Sequence, residues 1–214
     1  MPDFPDLKLP ALIMAPGEDS GVFTEVLTDI GSEPLLLSPA ASLPSDAGGL
    51  VLFGESTIYD GTPLPALLTA LEADIPVLGI GWGMYAINIA LGGKPPVLLA
   101  DAVVAKPSPG RKGRVTELGA MSTFLTLGGK VAATIGAGGP VATPGPGEFA
   151  IREAEKSTEL MASAYDIGTG AIEALEMPGY HWVIGVVWPL HKPDVLPTRF
   201  DNIVTAFVER SSGI

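Results

Sequence analysis

Two histidines and no cysteine bound the chemistry open to this chain. Without cysteine there is no disulfide, no thiolate metal site and no thiol nucleophile. His191 follows an apolar run that ends at Pro189, and Asp194 lies three residues on, near enough to orient an imidazole acting as a base. A hydrolase using His191 would draw on Glu55 and on Tyr59 or Tyr85, but it would still lack a nucleophile. The plainer reading of His191 is a histidine in a surface loop, and His181 reads as a partly exposed ring at a strand start. Glu173 and Glu176 fall on opposite faces of a strand and are not a catalytic pair. Asp3, Asp6, Glu18 and Asp19 read as solvated surface charges. No His, Asp or Glu cluster has metal-ligand spacing, and no glycine-rich loop matches a phosphate or dinucleotide fingerprint, so neither a metal nor a cofactor is expected.

The elements that must position these groups are legible as alternating runs. Pro10–Met14 is a short buried strand closed by Ala15-Pro16-Gly17, and Ser20–Ile30 places Val22, Phe23, Val26, Leu27 and Ile30 at helical spacing before Gly31. Leu35–Leu37 completes a first βαβ unit. Gly49–Phe53 leads into Gly54, Leu64–Ala73 reads as a helix, Pro76–Ile80 as a third central strand, and Met84–Leu91 as a helix closed by Gly92-Gly93. Such alternation predicts a doubly wound parallel sheet.

Further on, Val97–Leu99, Arg114–Leu118, Lys130–Ile135 and Phe149–Ile151 read as strands with few helices between them. Ala171–Glu176 alternates apolar and acidic residues, which predicts one wet face. His181–Trp188 reads as an apolar strand and Asp201–Arg210 as a C-terminal helix. The expectation is an α/β fold over residues 1–214, one domain with a mostly parallel sheet and a smaller antiparallel portion.

Composition excludes several partners. Twelve Lys+Arg against 24 Asp+Glu give a formal charge of -12, which repels a phosphate backbone, so nucleic acid is not expected. No apolar run reaches the roughly 20 residues of a membrane helix. The acidic start, Met1 to Asp6, is unlike a secretory signal, which makes the cytoplasm the expected location.

The stretch Pro76–Gly93, with Gly81-Trp82-Gly83 at its turn, Asn88 and Leu91-Gly92-Gly93, resembles the nucleophile elbow of the class I glutamine amidotransferases, most closely the branch that hydrolyses γ-glutamyl amides. Gly49–Glu55 resembles the family strand that ends in Pro-Gly-Gly and supplies an oxyanion-hole amide, with only Gly54 of that turn kept. Ala171–Glu176 and Val183–His191 resemble the family's Ile-Glu-Ala segment and its Gly-Val-Gln-Trp-His-Pro-Glu strand end. The resemblance runs in order from Leu12 to Trp188, is weaker between Val103 and Ser163, and implies a flavodoxin-like fold.

The same resemblance puts Gly81 where the family has its cysteine, Pro189 where it has the catalytic His, and His191 where it has the Glu. A thiolate attacking an amide, a His moving the proton and an acid orienting that His would all be missing. Glu55 beside the oxyanion position would repel a developing oxyanion. Gly at position 81 adopts a strained elbow without penalty, so a positive φ is expected there. On its own, Gly81-Trp82-Gly83 reads as a tight strand-to-helix crossing. The amides of Trp82, Gly83 and Met84 form a potential site for a small anion.

The expected function is therefore a silent amidotransferase-like protein that acts by binding, as a self-associating scaffold or by recruiting or regulating a protein partner. A hydrolase of altered mechanism and a small-carboxylate-binding protein are the alternatives. The candidate ligand-binding set is Gly54, Glu55, Gly81, Trp82, Gly83 and His191. The space over Gly81 discriminates: Trp82, Tyr85 or Trp188 filling it favours the scaffold, and an open polar cleft with His191 inward favours chemistry.

Overall fold

In the computed structural model, which describes residues 8–55, 59–99 and 122–213, the alternating apolar runs form one nine-stranded sheet. Strands β1 (Pro10–Met14), β2 (Leu35–Leu37), β3 (Gly49–Gly54), β4 (Val77–Gly81) and β11 (Val183–Val186) make its parallel part, in the order β2-β1-β3-β4-β11. Beyond β11 the sheet continues antiparallel through β10 (Ile172–Glu176), β9 (Met161–Asp166), β6 (Thr123–Leu125) and β7 (Gly139–Val141). A separate two-stranded ribbon pairs β5 (Val97–Leu98) with β8 (Phe149–Ala150).

Helices cover both faces, because each central strand is apolar on both sides. Leu50 and Leu52 of β3 pack with helices α2 (Pro65–Glu72) and α3 (Trp82–Ala90). Val51 and Phe53, one residue out of phase, pack with Phe23 and Leu27 of α1 (Ser20–Asp29) and with Ile203, Val204 and Phe207 of α5 (Asn202–Ser211). Asp19 caps α1 by accepting from the Gly21 amide at 2.9 Å. Among the described residues no helix is long and apolar enough to cross a membrane.

Four expectations need correction or trimming. Lys130–Ile135, expected as a strand, is helix α4: Val131 and Ile135 fall four residues apart on one buried face, and Gly136 ends the helix in the left-handed region at φ 70. Its first amides, Lys130 and Val131, donate to the Glu176 carboxylate at 3.0 and 3.1 Å, a tertiary cap that no local pattern encodes. The wet face expected for Ala171–Glu176 does not exist, since every residue of β10 is buried and the acids are hydrogen-bonded inside the fold. The helix expected from Met84 begins at Trp82, and the strand expected over His181–Trp188 covers only Val183–Val186. The Arg114–Leu118 strand and the N-terminal acids Asp3 and Asp6 lie outside the described residues.

Candidate functional site

Strands β3, β4 and β11 end side by side, with Gly54 in register with Gly81. The chain passes from β4 into α3 through Gly81 alone, at φ 55 and ψ -109, a conformation open to glycine and strained for other residues. A β-carbon built on Gly81 would overlap the carbonyl oxygen of Gly54 and come 3.1 Å from that of Glu55. The turn expected from the sequence is present, and the volume beside it that a side chain would need is filled by the neighbouring strand.

Close packing explains the other glycine of the motif. A β-carbon on Gly83 would run into the Leu52 backbone, and one on Gly79 into Gly83, so the pair lets α3 lie directly on the sheet. Trp82 is buried and meets Tyr59 edge-on at 5.4 Å between ring centroids. Trp82 and Gly83 therefore sit in the packing behind the turn, whereas Gly54, Glu55, Gly81 and His191 come together around one cavity of about 360 Å³.

Phe53, Ile80 and the two glycines floor that cavity, Tyr85, Val187, Trp188 and Pro189 wall it on one side, and the segment Pro144–Phe149 closes the other. None of Trp82, Tyr85 or Trp188 fills it. Tyr85 donates its hydroxyl to the Phe149 carbonyl at 2.9 Å, and burial pushes its phenol up to about 12, so it stays a hydrogen-bond donor. Pro189 lines the cavity with no group that can move a proton. Among the described residues no serine or threonine lines it.

The ionic corner consists of Glu55, His191 and Lys192. Glu55 Oε1 lies 2.6 Å from His191 Nε2 and 2.5 Å from Lys192 Nζ. Hydrogen bonding from the Lys192 ammonium, and then from His191, holds the Glu55 carboxyl below its ordinary range. The His191 side chain is only 4% exposed, which corrects the picture of a surface-loop histidine. Asp194, expected to orient His191, is exposed on a single helical turn (Pro193–Val195), and Glu55 holds the ring instead. Burial lowers the His191 pKa, the Glu55 carboxylate pulling the other way with less effect. A neutral ring sharing its Nε2 proton with Glu55 leaves Nδ1 as the lone-pair nitrogen, and that atom is buried without a partner.

His191 gives the fold an acid-sensitive component. The unfolded chain takes up a proton near pH 6.5, about the ordinary imidazole value, while the folded chain resists it. Stability contributed by neutral His191 is thus present above that pH and lost as the pH falls toward the depressed folded value. Urea unfolding at pH 7.5 and 5.5 should show a larger loss on acidification in the wild type than in His191→Gln; equal losses would contradict a buried neutral ring.

Some site residues escaped the sequence reading. Lys192 carried no local signal, and Pro144–Phe149 showed only as a Pro-Gly alternation within the stretch where the resemblance is weak. His181 lies away from the cavity, beside Trp182 in a groove between α4 and α5, with its amide donating to Asp74 at 2.8 Å.

The peptidase C26 family profile matches residues 58–191 of the chain. A Mycobacterium tuberculosis protein provisionally named a glutamine amidotransferase is 30% identical over 218 residues, a match spanning 89% of this chain and 67% of that protein. Among solved structures, a Thermoplasma acidophilum protein provisionally assigned as a GMP synthase component superposes with a TM-score of 0.65 at 14% identity, covering 96% of this chain and 95% of the other. A glutamine amidotransferase from Methylobacillus flagellatus superposes with a TM-score of 0.59 at 14% identity, covering 97% and 93%. At such identities the two structures establish the shared fold.

Proposed function

The chain belongs to the peptidase C26 family, within the class I glutamine amidotransferase-like superfamily, and we propose that it is a catalytically silent member that acts by binding. The observation that carries this reading is the crowding at Gly81: the point where the family resemblance places a nucleophile has neither a side chain nor room for one. Pro189 at the expected base position points the same way.

The cavity over Gly81 supports a small ligand as what is bound, since it is open, mostly apolar and edged by the Glu55, His191 and Lys192 corner. Lys192 is half exposed at that corner and is the charge available to a carboxylate. Such a ligand leaves the scaffold or partner-recruiting role intact, because occupancy of the cleft can regulate what the outer surface meets.

A hydrolase of altered mechanism is the second reading, favoured by the Glu55–His191 pair at 2.6 Å. Two features weigh against it. Among the described residues no serine, threonine or cysteine lines the cavity, and the nitrogen of His191 free to act as a base is buried.

Purified protein incubated with L-glutamine and with a chromogenic γ-glutamyl anilide is expected to release neither ammonia nor the aniline above a heat-killed control. Turnover that His191→Gln abolishes would establish the second reading in place of the first. Isothermal titration with L-glutamate should give heat that Lys192→Ala removes; a silent titration would strike out the carboxylate and leave the protein-binding role, to be tested by light scattering and partner capture.

A further inference from the structure

Glu173 of β10 is fully buried, and its carboxyl group joins three separate parts of the chain. Thr123 Oγ1 of β6 lies 2.9 Å from both carboxyl oxygens. Thr143 Oγ1, just after β7, lies 2.8 Å from Oε2, and Trp188 Nε1, just after β11, lies 2.7 Å from the same oxygen. The two threonine oxygens are themselves 2.5 Å apart.

Counting protons decides the state of this cluster. Trp188 can only donate, and each threonine has one hydroxyl hydrogen. With an ionised Glu173 those three hydrogens leave one short oxygen–oxygen contact without a proton, either between the threonines or between a threonine and the carboxylate. A carboxylic acid supplies the fourth hydrogen. Glu173 Oε1–H then donates to Thr123, Thr123 to Thr143, Thr143 back to Glu173 Oε2, and Trp188 to Oε2, which serves all the shorter contacts and leaves only the 2.9 Å approach of Thr123 to Oε2 without a proton.

Two walls of the cavity over Gly81 hang from this ring. Trp188 is one of them, and Thr143 is the near anchor of Pro144–Phe149, with the Gly145 amide donating to Thr143 Oγ1 at 3.3 Å. The far end of that segment is held by the Tyr85 hydroxyl on Phe149.

We propose that Glu173 is a neutral carboxylic acid that positions the cleft, clasping the Thr143–Phe149 segment to Trp188 while protonated and loosening that segment when it ionises. Burial raises its pKa, outweighing the three donors, and the adjoining carboxylate of Asp166 on β9 raises it further. Thr123, Thr143 and Trp188 are uncharged, and among the described residues Asp166 is the one ionisable group that acts on it. A silent cleft and an active one would need the same clasp, so amide turnover bears on neither outcome below.

Glu173→Gln separates the two protonation states, because glutamine copies the neutral acid: its amide donates to Thr123 and its oxygen accepts from Thr143 and Trp188. A group that folding makes harder to ionise contributes stability below its unfolded pKa and loses it as the pH rises through the folded value. The urea midpoint of Glu173→Gln should therefore match the wild type below the ordinary glutamate value of about 4.3, exceed it increasingly as the pH rises from there, and keep a constant lead once Glu173 has ionised in the folded protein. In the wild type the Trp188 indole N–H resonance should shift with pH, with a midpoint above the ordinary glutamate value of about 4.3. In Glu173→Gln it should stay flat.

Hydrogen exchange at the Gly145 amide should quicken at alkaline pH in the wild type beyond the intrinsic rate increase, and should show no such excess in Glu173→Gln. An indole midpoint at or below about 4.3, or a Glu173→Gln protein that is less stable than wild type at every pH or fails to fold, would overturn the proposal, since an ionised Glu173 would then be the acceptor the fold requires.

Discussion

Gly81→Cys is expected to yield a protein that is destabilised by roughly 2–6 kcal/mol and still releases no ammonia from glutamine. The strained backbone at φ 55 costs a residue with a β-carbon about 1–3 kcal/mol. Forcing that carbon against the Gly54 carbonyl costs about 1–3 kcal/mol more in displaced structure. Against a typical domain stability of about 5–15 kcal/mol, the variant should fold but unfold at much lower urea. A thiol that did fit would find Pro189 and a His191 whose free nitrogen is buried, so no base would activate it. A variant as stable as the wild type would show that β3 and β4 separate easily at their ends, and one that hydrolyses glutamine would end the reading of the site as silent.

Asn88→Ala should be comparably damaging, at about 2–6 kcal/mol, although Asn88 does not line the cavity. The side chain is completely buried in α3 and clamps two distant loops to it. Its amide nitrogen donates to the carbonyls of Lys94 and Glu155, both at 3.0 Å, and its oxygen accepts from the Ser157 amide at 2.8 Å. Ser157 in turn donates to the Leu91 carbonyl at 2.6 Å, closing the helix end. Truncation strands the buried Ser157 amide, at about 1–3 kcal/mol, and takes a donor from two part-buried carbonyls, at about 0.5–1.5 kcal/mol each. Urea unfolding within about 1 kcal/mol of wild type would mean that these loops find other partners.

The parallel half of the fold was legible because each of its strands is a short apolar run bounded by Gly or Pro, and such runs have few alternatives once helices at 3.6-residue spacing separate them. Gly81 was legible for a different reason: its conformation is a local property of one residue between a strand and a helix. Where contacts are distant, the same reading failed. Val131 and Ile135 suit a strand by type, and the Glu176 carboxylate that caps their helix lies 45 residues from Val131 in sequence. Glu173 and Glu176 looked solvated because the alternation Ile-Glu-Ala-Leu-Glu says nothing about a hydroxyl at Thr123 or an amide at Val131. His191 was noticed but given the wrong acid, since Asp194 is near in sequence whereas Glu55, 136 positions away, is near in space.

The position of β11 in the sheet bears on how the cleft comes into being. Val183–Val186 pairs with Val77–Ile80, strands separated by more than a hundred residues, so this ladder closes a long loop before it gains any hydrogen bond. On a ribosome the apolar flank of β4 would stand uncovered until nearly the whole polypeptide had emerged, which makes that flank the natural client surface for a chaperone and the first place for nascent chains to associate wrongly.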